Sequence, residues 1–463
     1  MTKTKTADGL SLGRKMAYGA AELNVGLAFI AINSWLLYFF VNIAAIPPFL
    51  AGIAFLTGRL FDAVMDPVIG RWSDRVRHVV GRKPAIKWAL LPGALSYVAI
   101  WALPVLVEGT AAKFILAAIG FMTFSLFFTM ISIPRLALVP DLEPTYHGRT
   151  KLLSVNFMFN FLAVLIAIAV TPGLVLALGQ TNDLAASPAS AWITVAMVFA
   201  GVGVVSLIPF FWAIPDAKTG TDALPSKPFW GEVKSLFQTP GYTRIVLILL
   251  LSVLGTLIVQ SMVPFYLESV IGVPGPAQGP ILGAIFLLSI LSFPLWAFVG
   301  GKIGKHRALI AGFVVYGVFL AMIPFIPRDG VTPTLMVAAA ISGIGISAIN
   351  LFPWAMLPDA VDMDAQTHGA KREGLVSSVF VFAQKIAGSL AIFWNAMMLS
   401  VFDHQAGQVV QSESTLTAFV WMTGPIPLAI FVVAMLLTFG YPITRAVQQG
   451  LRTDEAQAQD GGI

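Results

Sequence analysis

The chain has 463 residues; 57% are hydrophobic and only 11% are Asp, Glu, Lys or Arg, where soluble domains carry about 25% charged residues. Despite a formal net charge of +5, that composition excludes a disordered chain, a soluble multidomain enzyme and a nucleic-acid-binding module. The absence of cysteine also excludes disulfide frameworks, thiolate metal sites and cysteine nucleophiles.

The opening sixteen residues are polar and lack the short apolar core of a cleaved leader. Beyond them, runs long enough to cross a bilayer, about 20 mostly apolar residues each, recur along the chain. They fall at 17–41, 48–70, 86–107, 112–134, 152–178 and 189–214, then at 241–268, 278–300, 307–327, 331–357, 374–402 and 415–444. The polar stretch Pro215–Glu232 separates the two sets of six. The expected fold is an all-α membrane protein of twelve transmembrane helices in two six-helix bundles. The bundles are 1–215 and 236–447, joined by a linker at 216–235 and followed by a tail at 448–463.

Positive charge sets the topology, because cytoplasmic loops retain Lys and Arg. With the N-terminus inside, 24 of the 28 Lys and Arg fall on the inside. Only Lys113 and Arg328 fall outside, and Arg59 and Lys385 lie within spans. Both termini are therefore expected in the cytoplasm of a multi-pass protein of the cell (inner) membrane. The basic excess is a topology signal spread over many segments, so no nucleic-acid partner is expected. The second run leads into Gly70-Arg71-Trp72-Ser73-Asp74-Arg75, and the eighth into Gly300-Gly301-Lys302-Ile303-Gly304-Lys305. Such an echo between halves is what a two-bundle transporter requires, with its substrate at the repeat interface.

Charges at the bilayer centre cost about 2.5–3.5 kcal/mol each on insertion scales, so the few that occur there are functional candidates. In chain order they are Glu22, Arg59, Asp62, Asp66 and Lys385. Glu22 either faces a cavity or pairs with a cation near the helix end. Arg59, Asp62 and Asp66 are spaced i, i+3 and i+7, which stacks all three on one helix face. Two carboxylates one turn apart repel unless a cation lies with them. An alkali ion or a shared proton suits that arrangement, and Arg59–Asp62 could equally be a packing ion pair. Lys385, in the other half, is a potential partner. Glu268 is expected at an exposed helix end. The five histidines (His78, His147, His306, His368, His404) are expected in loops, which leaves no histidine proton relay across the membrane. Trp354 and Trp394 could line a pocket. Pro353, Pro358, Gly343, Gly345 and Gly388 mark kinks or close helix contacts.

Arg59-Leu-Phe-Asp62-Ala-Val-Met-Asp66-Pro67-Val-Ile-Gly70 resembles the second-helix signature of the glycoside–pentoside–hexuronide:cation symporters, the melibiose-permease-like family of the major facilitator superfamily. Tyr18-Gly19, the Ile133–Pro140 stretch, the loop with Asp359 and Asp362, Arg372-Glu373-Gly374 and Lys385 fit the same pattern. The resemblance implies that Asp62, Asp66 and Thr129 bind the cation, and that Lys385 links cation and substrate sites.

The departures concern the substrate. Where sugar-binding members carry an Asp on the first helix, Gly26 stands here. Ser132 and Leu136 replace an Asp and a Trp on the fourth, Phe157 an Arg on the fifth, and Asn350 a Trp on the tenth. The galactoside site is dismantled. Met65 occupies the place of an Asn found in sodium-using members, and a thioether cannot replace an amide oxygen for sodium.

The resulting expectation is a secondary transporter, not an enzyme, that couples Na+ or H+ to symport of a small organic solute and needs no cofactor. The substrate expected first is a sugar, glycoside or glucuronide. An amphipathic lipid such as a lysophospholipid is the alternative, and a transport-inactive receptor a further one. Substrate or coupling roles fall to Lys385, Arg59, Glu22, Ser132, Asn350 and Trp354. Asp74, Arg75, Arg82 and Lys83 are expected to form a gating loop that latches the bundles. The protein is expected to be a monomer among membrane lipids.

Overall fold

In lipid every backbone N–H and C=O must be satisfied within the protein, which restricts long apolar runs to helices or closed barrels. The computed structural model is all-helical among the described residues, which are 10–79, 81–136, 138–143, 146–215, 229–368, 373–406, 408 and 410–443. Among the described residues, twelve helices are long and apolar enough to cross a membrane. They are α1 (Leu12–Leu36), α2 (Pro48–Gly70), α3 (Lys83–Val105), α4 (Thr110–Leu136), α5 (Lys151–Gly179) and α6 (Ala189–Ala213). Then follow α7 (Tyr242–Val270), α8 (Gly275–Ile303), α9 (Lys305–Phe325), α10 (Pro333–His368), α11 (Leu375–Val401) and α12 (Glu413–Phe439). Each coincides with one of the twelve apolar runs.

Two helices outrun the lipid. The helix of α2 continues from Pro48 to Val79 over 32 residues, and α10 has 36 residues. At 1.5 Å per residue these span about 48 and 54 Å, against about 30 Å of hydrocarbon. Asp74 and Arg75 therefore lie on a helical extension, not in a loop, and their side chains fall outside the described residues. Asp359 and Asp362, expected in a loop, sit on α10. His306 and His368 are also helical, at the ends of α9 and α10. Hydropathy marks only where lipid ends; a helix whose backbone bonds are intact need not stop there.

The chain packs as two compact units. The first comprises Met1–Ala223, Pro274–Pro280 and Ala396–Val410; the second comprises Leu224–Val273, Ile281–Asn395 and Gln411–Ile463. The first unit thus includes two segments from the second half of the chain. They fit because their contact points are small or polar. A Cβ on Gly279 would lie 2.4 Å from the Ala169 carbonyl oxygen, and one on Gly275 2.6 Å from that of Asn182. His404 Nε2 is 2.9 Å from Asn42 Oδ1. His404 is off-helix as expected, but buried.

Inside the first unit an aromatic cluster joins the helices. Trp101 of α3 stacks on Trp192 of α6, with centroids 6.1 Å apart and planes 12° apart. Trp35 donates its indole N–H to the Ala167 carbonyl on α5 at 3.0 Å. Such rings bury large area while their single donors find partners. In the second unit α9 and α10 meet backbone to backbone. A Cβ on Gly312 would lie 2.4 Å from that of Ala348, and one on Gly345 2.6 Å from the Tyr316 nitrogen. Small residues permit this approach, which matters because lipid supplies no hydrophobic drive between helices. Glu268, expected to be exposed, is buried in a π-helical turn at the end of α7.

Candidate functional site

The i, i+3, i+7 spacing on α2 brings Asp62 and Asp66 against α4, where Thr129 waits. Thr129 is 1% exposed and Asp62 2%. The Thr129 hydroxyl lies 2.9 Å from Asp62 Oδ1 and 3.1 Å from Asp66 Oδ1. Three oxygens thus converge from two helices. A hydroxyl has a single hydrogen, so it donates to one carboxylate at a time. The second contact is satisfied when the other acid is protonated and donates to the hydroxyl oxygen, or when a cation sits among the three.

Arg59, one turn before Asp62, is buried and interacts electrostatically with both Asp62 and Asp66. Its guanidinium carbon lies 4.9 Å from the Phe29 ring centroid and 5.6 Å from that of Phe121. Such placement over aromatic faces favours a desolvated cation. Gly58 makes it possible, since a Cβ there would lie 1.8 Å from Phe121 Cδ1. Gly58→Ala is therefore expected to displace Phe121 and loosen the Arg59 cradle. The check is a lower melting temperature in detergent together with weaker cation-induced stabilisation; an unchanged protein would refute the packing role.

Arg59 Nη2 also donates to Asn33 Oδ1 at 2.7 Å. Asn33, 3% exposed, lies in a π-helical turn of α1, Ile32–Leu36, a distortion common at functional sites. Sequence reading missed it. A single uncharged amide in an apolar run leaves hydropathy nearly unchanged; its only signal was an Asn-Ser pair within that run.

Glu22 belongs elsewhere. It forms a hydrogen-bonded ion pair with Arg135 of α4. Asn160 of α5 donates to Glu22 Oε1 at 3.1 Å, and Arg135 Nη1 donates to Asn156 Oδ1 at 2.8 Å. The Tyr18 hydroxyl donates to the Arg135 carbonyl at 3.0 Å. Of the two readings left open by the sequence, pairing near the helix end is the observed one. The partner is the span-end Arg135, within the Ile133–Pro140 stretch.

The positions that the resemblance would assign to substrate carry no charged side chain: Gly26, Ser132, Leu136, Phe157 and Asn350. A Cβ on Gly26 would lie 2.7 Å from that of Ala163, so a carboxylate does not fit there without moving α5. Leu136 is 59% exposed and Phe157 58%, apolar where the resemblance would place polar groups. Ser132 is half-buried one turn beyond Thr129. In the second unit Asn350 is exposed on α10. Trp354 is part-exposed, with its ring 5.1 Å from Phe380 and near-perpendicular to it. Lys385 is half-buried on α11. Trp394 Nε1 is buried without a hydrogen-bond partner.

Of the expected gating residues, Lys83 donates to the Phe211 and Ile214 carbonyls at 2.7 and 2.6 Å. It caps the end of α6 in its own unit, a favourable place for a cation. Arg82 is buried just before α3. Arg372 lies outside the described residues, as do most of the 216–235 linker and all of the 448–463 tail.

A profile of the family described as MFS/sugar transport protein matches residues 17–445. An uncharacterised symporter of Synechocystis is 25% identical over the full length of both chains. The sodium-dependent lysophosphatidylcholine symporter 1-A of Danio rerio is 23% identical, covering 89% of this chain and 82% of that protein. Among solved structures, a bacterial homologue of the human lysosomal transporter Spinster, inward-facing and unoccupied, superposes with a TM-score of 0.67 at 13% identity; 96% of this chain and 99% of that one are covered. That likeness extends to the fold alone. The resemblance read from the second-helix acids holds, and the chain belongs to the MFS/sugar transport protein family, as a multi-pass membrane transporter of small molecules rather than an enzyme.

Proposed function

We propose that the chain is a cation-coupled symporter in which Asp62, Asp66 and Thr129 hold the coupling ion and a sugar or glycoside is the cargo. The observation that carries this reading is the Thr129 hydroxyl within hydrogen-bonding distance of both acids. Two carboxylates and one guanidinium leave a net charge of −1, so one monovalent cation neutralises the site. A neutral site crosses the low-dielectric occluded state at far lower cost than a charged one. Cation binding then favours the outward-open state, and rocking of the two bundles delivers both ligands inside. Lys385 links the two sites, and Ser132, Asn350 and Trp354 contact the substrate. Arg59 stays at the cation site, while Glu22 is withdrawn from coupling to a structural pair. Asp74, Arg75 and Arg82 remain the latch residues; both termini are cytoplasmic, and the protein is a monomer.

The coupling ion in this reading is the proton. Met65 supplies no hard oxygen, and the hydroxyl between two acids suits a shared proton. Sodium is the second reading, favoured by the sodium dependence in the name of the Danio rerio relative. For cargo, the exposed Leu136 and Phe157 favour a second reading, an amphipathic lipid.

A thermal-shift screen of sugars, glucuronides and lysolipids, each with and without sodium and at two pH values, identifies the ligand, because binding to the folded state raises stability by mass action. The hit is then followed in proteoliposomes under an imposed proton or sodium gradient. Accumulation driven by the proton gradient alone is expected. Accumulation driven by neither gradient would overturn symport.

A further inference from the structure

Arg59 is a buried guanidinium within electrostatic reach of two carboxylates, one buried and one part-buried. Free to move, it would form a bidentate pair with one of them, the geometry arginine favours. It would then occupy the place the coupling ion needs. Its hydrogen bond instead goes to a neutral amide, Asn33 Oδ1, at 2.7 Å. Asn33 is itself fixed, since its Nδ2 donates to the Phe29 carbonyl at 2.7 Å. The same Phe29 presents its ring to the guanidinium, and Phe121 presents another. Arg59 Nε is buried without a partner, so this amide is the guanidinium's fixed hydrogen-bonding anchor.

We propose that Asn33 is a positioning residue that sets the cation affinity of the Asp62–Asp66–Thr129 site by holding Arg59 beside the acids but out of the ion's place. The inference rests on the cation-site reading above. An amide is suited to the task because it accepts a hydrogen bond without adding charge. The guanidinium therefore keeps its full positive charge for the acids. A carboxylate at position 33 would neutralise Arg59 and leave both acids uncompensated. An aliphatic residue would release Arg59 onto them.

These two changes have opposite consequences, which a merely structural role cannot produce. Asn33→Asp, nearly isosteric, should tighten cation binding about tenfold; Asn33→Leu should weaken it about tenfold. The measurement is the melting temperature of purified protein in detergent, titrated with sodium chloride at constant ionic strength and, separately, with pH. The midpoint of the cation-induced rise is the readout, not the absolute melting temperature. Opposite shifts of the midpoint support the role. Shifts in the same direction, or none in a protein whose unmodified form has a clear midpoint, overturn it. Should Asn33→Leu fail to fold, Asn33→Asp with Asn33→Ser gives the same test, since the shorter hydroxyl loosens the tether without adding charge. Asp66→Asn is run alongside. If it keeps the unmodified midpoint, or if the unmodified chain shows no midpoint at all, the cation-site reading fails first and takes this inference with it.

Discussion

Asp66→Asn is expected to abolish gradient-driven accumulation while the protein stays folded in the membrane. The substitution keeps the shape of the side chain and removes one charge, so the site goes from −1 to neutral before any ion arrives. A unit charge about 4 Å away is worth about 4 kcal/mol at the effective dielectric of partly shielded protein sites. That corresponds to about a thousandfold in cation affinity. Substrate can still bind and exchange, because a permanently neutral site mimics the cation-loaded one. Counterflow in proteoliposomes should therefore persist after uphill uptake is lost. Asp62→Asn should behave likewise, since Thr129 approaches both acids. Unchanged uphill accumulation in Asp66→Asn would sink the mechanism.

The largest stability effect is expected at the Glu22–Arg135 pair, well away from coupling. Both members are buried. Removing one partner leaves an uncompensated charge, which costs about 3–5 kcal/mol. Glu22→Ala and Arg135→Ala should each lower the melting temperature in detergent sharply. The paired change Glu22→Leu with Arg135→Leu should cost less than the sum of the single changes, because no naked charge remains. Its residual cost comes from Asn156 and Asn160, which lose their partners on the same network. Strict additivity would show that the two residues act independently. The distinction also bears on function: a Glu22 acting in coupling should change cation dependence, whereas a helix staple should change stability alone.

Asp62 and Asp66 were legible in the sequence because helical periodicity is a local rule and a carboxylate in an apolar run is conspicuous. The twelve helices were legible for the same reason, since transfer into lipid is decided residue by residue. Glu268 misled because distance along a helix says nothing about which side faces protein. Asp359 misled because the lipid boundary and the helix end are different events. In the structure Asp359 pairs with Lys305, with Nζ 2.7 Å from Oδ1, beyond any apolar run. Asn33 was invisible for a further reason: its importance lies in Arg59, 26 positions away and on another helix.

The sequence by itself determined the class of protein, the number of spans and the two acids, which follow from composition and from the period of a single helix; the family came from the resemblance of the second-helix motif. The resemblance already implied Thr129 beside the acids; only the tertiary structure decided the other partners: Asn33 on Arg59, Gly58 beneath Phe121, and Arg135 for Glu22. Helix packing makes those choices, because a buried polar group must find whichever partner the neighbouring helix brings within about 3 Å. No rule along one chain segment encodes that distance.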